Sequence, residues 1–333
     1  MISIKTIAYH LRNAFAKLGV SSRRQLTDRP AGPRQGPDIA PEKFLLPGSD
    51  HGGVAPGRDA RKSALVTPDS LHQQLADELW ESDQTAKPIS PLTERYPRLV
   101  VEDAYAIQTI NIDRRMARGE IAIGRKVGLT SAPMQQLLGV NEPDFGVLTD
   151  AMFVEDGDLI DLGRLNQPRV EAELAFLMET DLAGPGVTTA RALRAIAGAL
   201  PSVEVVDSRV ADWKIKLVDT VADNASSGLL VIGGRMRKVE DLDLRLLGVI
   251  VARHGEVIDT GAGAAALGNP ARCVAWLANK LGSLGAGLKA GDIVLPGAVH
   301  KMVPVQPGDV FRADFAHLGG VTVRFSGNGR QKG

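Results

Sequence analysis

The chain has 333 residues, 44% of them hydrophobic, and its 39 Lys and Arg balance 39 Asp and Glu. That length and apolar content suffice for one large domain or two ordinary ones, and zero net charge excludes a global positive field drawing the molecule to nucleic acid or an anionic membrane. A single cysteine, Cys273, excludes an internal disulfide framework and a cysteine-based zinc cluster, no stretch approaches the roughly 20 apolar residues of a membrane span, and a soluble, cytoplasmic protein is expected.

The first 25 residues carry five basic side chains (Lys5, Arg12, Lys17, Arg23, Arg24) and, at helical spacing, Ile7, Leu11 and Phe15. They resemble the recognition helix of helix-turn-helix output domains in bacterial response regulators. Such a helix works only on scaffold helices that precede it. With Met1 opening the sequence, residues 1–25 are expected to be a truncated, non-functional remnant of a misplaced start codon or a fusion. Nucleic acid is accordingly not expected as a partner. A DNA-binding, metabolite-sensing regulator is the alternative from another functional class, and it would require an intact helix-turn-helix.

Residues 26–64 scatter six prolines and six glycines among charged residues without apolar periodicity, and are expected to form a disordered linker. Order resumes in "TPDSLHQQLADELW", where Thr67 can cap a helix, Pro68 suits its first position and Leu71, Leu75 and Leu79 form one face. A second helix is predicted in "VEDAYAIQTINIDRRMARG", with Ala104, Ile107 and Ile110 as its stripe and Gly119 as its stop. From about Ile121 onward, short β-like runs with Gly or Pro turns alternate with a few helices, the clearest being "ARCVAWLANKLG". This pattern predicts an α+β domain over residues 65–330, with a β-rich core and flanking helices.

The chemistry concentrates in "RVEAELAFLM". Residues two apart in a strand share a face, so Glu171 and Glu173 project together while Val170, Ala172, Leu174 and Phe176 face the other way. In "SVEVVDS", Glu204 points away from Val203 and Val205. Three clustered carboxylates repel unless a cation neutralises them, and hard oxygen ligands suit Mg²⁺ or Mn²⁺. Spacing alone equally fits a solvent-facing strand with an acidic edge.

"GRKVGLTSAPMQQLLGVNEPDFGVLTDAM", "QPRVEAELAF", "VEVVDSRVADWKIKLVDTVADNASSG", "TGAGAAALGNPARCVAWLANKLG" and "LKAGDIVLPGAVHKMVPVQPGD" resemble, in order and without a large gap, the 2-keto-4-pentenoate hydratase family of the fumarylacetoacetate hydrolase superfamily. The resemblance runs from about Leu65 to Gly327. It implies a fumarylacetoacetate-hydrolase-like fold and a metal-dependent hydro-lyase of aromatic meta-cleavage catabolism, converting 2-hydroxypenta-2,4-dienoate to 4-hydroxy-2-oxopentanoate. It implies Glu171, Glu173 and Glu204 as ligands of Mg²⁺ or Mn²⁺, and Lys126 and Asp144 as groups for proton transfer or substrate binding. Ser226, with Asn224 and Ser227, is a candidate for orienting substrate oxygens or water, although Asn and Ser also serve turns. Phe145 and Leu148 line the pocket or pack the core. The resemblance further implies a homo-oligomer and an association with 4-oxalocrotonate decarboxylase. Within the family, that decarboxylase and a hydratase of longer 2-hydroxydienoates are the alternatives, and "DWK" with Gly228 favours the hydratase branch.

Other signals are discounted. "TGAGAAALG" lacks the following acidic residue of a dinucleotide-binding loop and is expected to serve close backbone packing. The six histidines show no paired ligand spacing; His300 is a minor site candidate for which a capping or turn role is favoured, and Cys273 is expected to be a buried structural thiol.

Overall fold

The computed structural model describes residues 68–327, so the basic stretch 1–25, the segment 26–64 and the Thr67 cap lie outside the described residues. The described residues fall within one unit, Val66–Gly333. In chain order come helices α1 (Pro68–Thr85), α2 (Leu92–Arg95) and α3 (Val101–Ala117), strand β1 (Ala122–Gly128), α4 (Ala132–Leu138), and strands β2 (Asp144–Thr149), β3 (Phe153–Glu155), β4 (Leu159–Ile160) and β5 (Pro168–Met178). There follow α5 (Thr189–Ala195), β6 (Ile196–Asp207), α6 (Leu217–Ala222), β7 (Ser227–Ile232), β8 (Gly248–Arg253), β9 (Glu256–Ala262), α7 (Pro270–Ser283), β10 (Ile293–Leu295), β11 (Val303–Pro304), β12 (Val310–Phe315) and β13 (Gly319–Phe325). The expected α+β class, a β-rich core with flanking helices, is what these elements build. Among the described residues no helix is long and apolar enough to cross a membrane.

Eight strands form a mixed sheet in the order β2-β1-β10-β5-β6-β7-β3, with β11 also pairing β5; five more form a second sheet, β4-β13-β12-β8-β9. One apolar core joins Val170, Leu174 and Phe176 of β5, Val203 and Val205 of β6, Phe311 and Val323 of the second sheet, and Val274 and Leu277 of α7. The helix α7 starts where Asn269 accepts the Ala271 amide and Pro270 occupies the first turn. A satellite cluster packs Leu75 and Leu79 of α1, Ala104 and Ile107 of α3, Leu92, and Val221 and Ala222 of α6. Asp219 of α6 ties this layer together by accepting from Thr93 and from the Lys216 amide.

The glycine-rich stretch ends β9 and runs into α7, but β9 pairs antiparallel with β8 at a sheet edge. No parallel βαβ crossover exists there to cradle a dinucleotide. Cys273 is fully buried in α7, and burial pushes its thiol up.

The fold makes a direct stability prediction. Phe176 is 0% exposed on the strand that carries two of the glutamates, so Phe176→Ala is expected to cost about 3–5 kcal/mol in urea unfolding. Ile250→Ala, at a side chain 49% exposed on the second sheet, is expected to stay within about 0.5 kcal/mol.

Candidate metal centre and active site

Strands β5 and β6 are antiparallel neighbours in register from Pro168↔Asp207, which sets Glu171 directly opposite Glu204 and Glu173 opposite Ser202. Cross-strand partners share a face, so the three carboxylates converge, one oxygen from each lying within 4.8 Å of the others. The opposite face of both strands carries Ala172, Leu174, Val203 and Val205 into the core. The acidic face is not a solvent edge: Glu173 and Glu204 are each 1% exposed. With those two carboxylates covered, the alternation seen in the sequence separates core from site, not core from water.

Lys126 and Asp144 come to the same place from β1 and β2. These strands pair Lys126↔Gly146 and Gly128↔Asp144, which puts Lys126, Gly128 and Asp144 on one face. Lys126 Nζ lies 3.3 Å from Glu204 Oε1 and donates to the Ala225 carbonyl at 2.8 Å. Asp144 Oδ2 accepts from Thr220 Oγ1 at 3.2 Å, while its Oδ1 is buried without a hydrogen-bond partner. Gly128 leaves the room they share: a Cβ there would stand 2.2 Å from Asp144 Oδ1 and 3.5 Å from Lys126 Nζ.

The carbonyl that holds Lys126 belongs to an unusual turn. Asn224, Ala225 and Ser226 all have φ between +51° and +53°, a left-handed conformation costing about 1–2 kcal/mol per L-residue. Asn224 fastens the turn to β2, accepting from Val147 N at 2.8 Å and donating to Val147 O at 2.9 Å. Gly146 permits the approach, since a Cβ there would meet the Asn224 carbonyl at 2.4 Å. Ser226, the third catalytic candidate, directs its hydroxyl to Asp223 Oδ2 at 3.4 Å, and Ser227 closes the turn on the Asn224 carbonyl. Phe145 is a core residue stacked on Tyr105 at 4.8 Å, and Leu148 is 1% exposed.

The loop after β10 closes the other side. Gly297 N donates to Glu173 Oε2 at 2.8 Å, and Val299 N to the Ala172 carbonyl at 3.1 Å. His300 Nε2 accepts from Ala172 N at 2.7 Å, filling a ladder position between the stretches where β10 and β11 pair with β5. This requires the tautomer protonated on Nδ1, which faces Asp259 at 3.7 Å. Instead of capping a turn, His300 fixes the backbone between Glu171 and Glu173.

The electrostatics are those of a site built for added positive charge. Three buried carboxyls (Glu173, Glu204, Asp144) and the half-buried Glu171 face one ammonium. Burial, reinforced by Glu204, pushes Glu171 up to about 7 and Glu173 well above the ordinary carboxylate range. Burial likewise raises Glu204 and Asp144 against the pull of Lys126. Burial opposes the Lys126 charge, but Glu204, Asp144, Glu171 and Glu173 outweigh it and hold the lysine protonated. Both Glu204 oxygens are buried without a hydrogen bond, a costly state for a carboxylate unless a cation takes them. The donor set, three carboxylates with hard oxygens, fits a divalent cation of the Mg²⁺ or Mn²⁺ type.

A carboxyl whose folded pKa lies above its unfolded value keeps its proton longer in the native state, so its ionisation favours unfolding as pH rises. For Glu171 that window runs from 4.5 to about 7. Metal-free protein is therefore expected to lose thermal stability across this range. Added Mg²⁺ is expected to raise Tm more at pH 7.5 than at pH 5, roughly, because metal must displace protons at low pH; an equal rise at both would contradict the site.

Comparison with known proteins identifies the family. The fumarylacetoacetate (FAA) hydrolase C-terminal family matches residues 120–326. The chain is 47% identical over 263 residues to 2-keto-4-pentenoate hydratase of Paraburkholderia xenovorans, covering 79% of this chain and 97% of that protein. It is 44% identical to 2-hydroxyhexa-2,4-dienoate hydratase of Comamonas testosteroni, covering 74% and 95%. Among solved structures, 4-oxalocrotonate decarboxylase from Pseudomonas putida G7, complexed with magnesium and adipate, matches with TM-score 0.75 and 38% identity over 77% of this chain and 97% of that one. The chain belongs to the 2-keto-4-pentenoate hydratase family, within the fumarylacetoacetate hydrolase superfamily.

Proposed function

We propose that this protein is a metal-dependent hydro-lyase that adds water to 2-hydroxypenta-2,4-dienoate to give 4-hydroxy-2-oxopentanoate in aromatic meta-cleavage catabolism. The reading rests above all on one observation: Glu171, Glu173 and Glu204 converge beside Lys126 and Asp144 in a chain 47% identical to a 2-keto-4-pentenoate hydratase. Identity of 47% to that hydratase, against 38% to the decarboxylase, favours hydration over decarboxylation.

Glu171, Glu173 and Glu204 would hold the ion, for which Mg²⁺ is proposed. When bound, it supplies Lewis-acid stabilisation of negative charge on the substrate carboxylate and C2 oxygen. Lys126, held protonated, binds the anionic end of the substrate and cannot serve as a base at neutral pH. Asp144 is the proton carrier. Burial favours its neutral form, so it delivers a proton to C5 as the C2 enol releases its own to solvent, giving the 3-enone. The resulting carboxylate then takes a proton from the water whose oxygen bonds to C4, and C3 of the enolate so formed takes back one proton from solvent, which completes the addition and leaves Asp144 neutral again. Ser226, the candidate for orienting that water, has its hydroxyl on Asp223 Oδ2 in this structure and would have to turn from it to do so.

We assign this activity to residues 65–330, and propose a cytoplasmic homo-oligomer that associates with the pathway's 4-oxalocrotonate decarboxylase. The test follows the ultraviolet absorbance of freshly generated 2-hydroxypenta-2,4-dienoate. Decay that requires Mg²⁺, and falls about 10³-fold or more in Glu173→Gln and Asp144→Asn, is expected. CO₂ release from 4-oxalocrotonate without dienoate decay would transfer the site to the decarboxylase reaction. Faster turnover of 2-hydroxyhexa-2,4-dienoate would move the preferred substrate to a longer chain.

A further inference from the structure

The left-handed turn that holds Lys126 is clamped from behind by a buried ion pair outside the carboxylate cluster. The Arg209 guanidinium donates through Nε to Asp223 Oδ1, through Nη2 to the Asp223 carbonyl at 2.7 Å and through Nη1 to the Ser227 carbonyl at 2.8 Å. The Arg209 amide donates to Asp223 Oδ2 at 3.0 Å. One side chain thus grips residues 223 and 227, the two ends of the Asn224–Ser226 turn. Asp223 also anchors the turn internally, its carbonyl accepting the Ser226 amide at 2.9 Å. Arg209 is 5% and Asp223 3% exposed, so neither reaches bulk solvent, and neither is in the acidic triad.

Three consecutive left-handed residues, none of them glycine, hold their shape only where the surroundings fix them. Here the Asn224 amide fixes the turn on the β2 side and Arg209 spans its two ends. What the turn presents inward is the Ala225 carbonyl, the hydrogen-bond acceptor that aims Lys126 Nζ. We infer that Arg209 and Asp223 are positioning residues that set the Lys126 ammonium through the Ala225 carbonyl. Planarity matters, because a lysine at position 209 can donate to one of these acceptors but cannot fork across 223 and 227 together. This inference rests on the proposed role of Lys126 in turnover.

The test compares steady-state hydration, Mg²⁺ affinity by calorimetry and thermal unfolding for Arg209→Lys, Asp223→Asn, Lys126→Met and the double variants. Each of the first two is expected to lower kcat/KM about tenfold or more while leaving Mg²⁺ affinity within about twofold, since the glutamates keep their own strands. In the Lys126→Met background, either substitution is expected to change the residual rate by less than about twofold, the mark of two residues acting through one group. Losses that multiply in that background, or kcat/KM values of both single variants near wild type, would overturn the inference. Wild-type kcat/KM in Lys126→Met would instead overturn the role of Lys126 itself. Asp223→Asn, isosteric with the native residue, carries the same expectation if Arg209→Lys does not fold.

Discussion

The structure turns on burying like charges together. Glu171 and Glu204 face each other across β5 and β6, with Glu173 one step along, and Glu173 and Glu204 are each 1% exposed. Left to itself such a cluster protonates or pushes its strands apart. A single ammonium cannot balance four carboxyls, and beyond its ion pair with Lys126 at 3.3 Å Glu204 has no partner for its oxygens. The strands that carry the cluster are accordingly among the most heavily supported in the molecule, with Leu174, Phe176 and Val205 0% exposed on the core side. The apolar core holds in register a site that electrostatics alone would open.

The rest of the site is backbone made rigid. The loop after β10 supplies the Gly297 amide to Glu173 and, through Val299 and His300, occupies both polar groups of Ala172. On the other side the Asn224–Ser226 turn supplies the Ala225 carbonyl to Lys126. Each functional side chain is therefore oriented by a main-chain group whose own position is fixed elsewhere, which lets short polar residues define a geometry without lying on one regular element.

Much of this was legible in the sequence, for identifiable reasons. A period of two through "RVEAEL" separates the glutamate face from the core face, and the apolar neighbours of Glu204 do the same, so the three-carboxylate set was readable from spacing. Helical periodicity located α1, α3 and α7 to within a few residues. Whether the acidic face meets water was not readable, because alternation looks the same in an edge strand and in a strand whose polar face lines a closed site. The first residues of β6, "IAGAL", are poor in β-branched side chains and become a strand only through pairing with β5. Arg209 and Asp223 were missed because their partnership spans 14 positions in sequence with no periodicity to announce it. The role of His300 was hidden because an imidazole accepting a ladder amide has no sequence signature. For Asn224 and Ser227 the sequence left turn formation and substrate orientation open; that the turn is left-handed and aimed at Lys126 emerged only from the fold.

The central claim is that this cluster takes one divalent cation in place of its protons. Isothermal titration of metal-stripped protein with Mg²⁺, in two buffers of different ionisation enthalpy near pH 7, tests it most directly. The expected result is one Mg²⁺ per chain with net proton release, and loss of about tenfold or more in affinity for Glu204→Gln. Binding without proton release, or with unchanged affinity in Glu204→Gln, would contradict it.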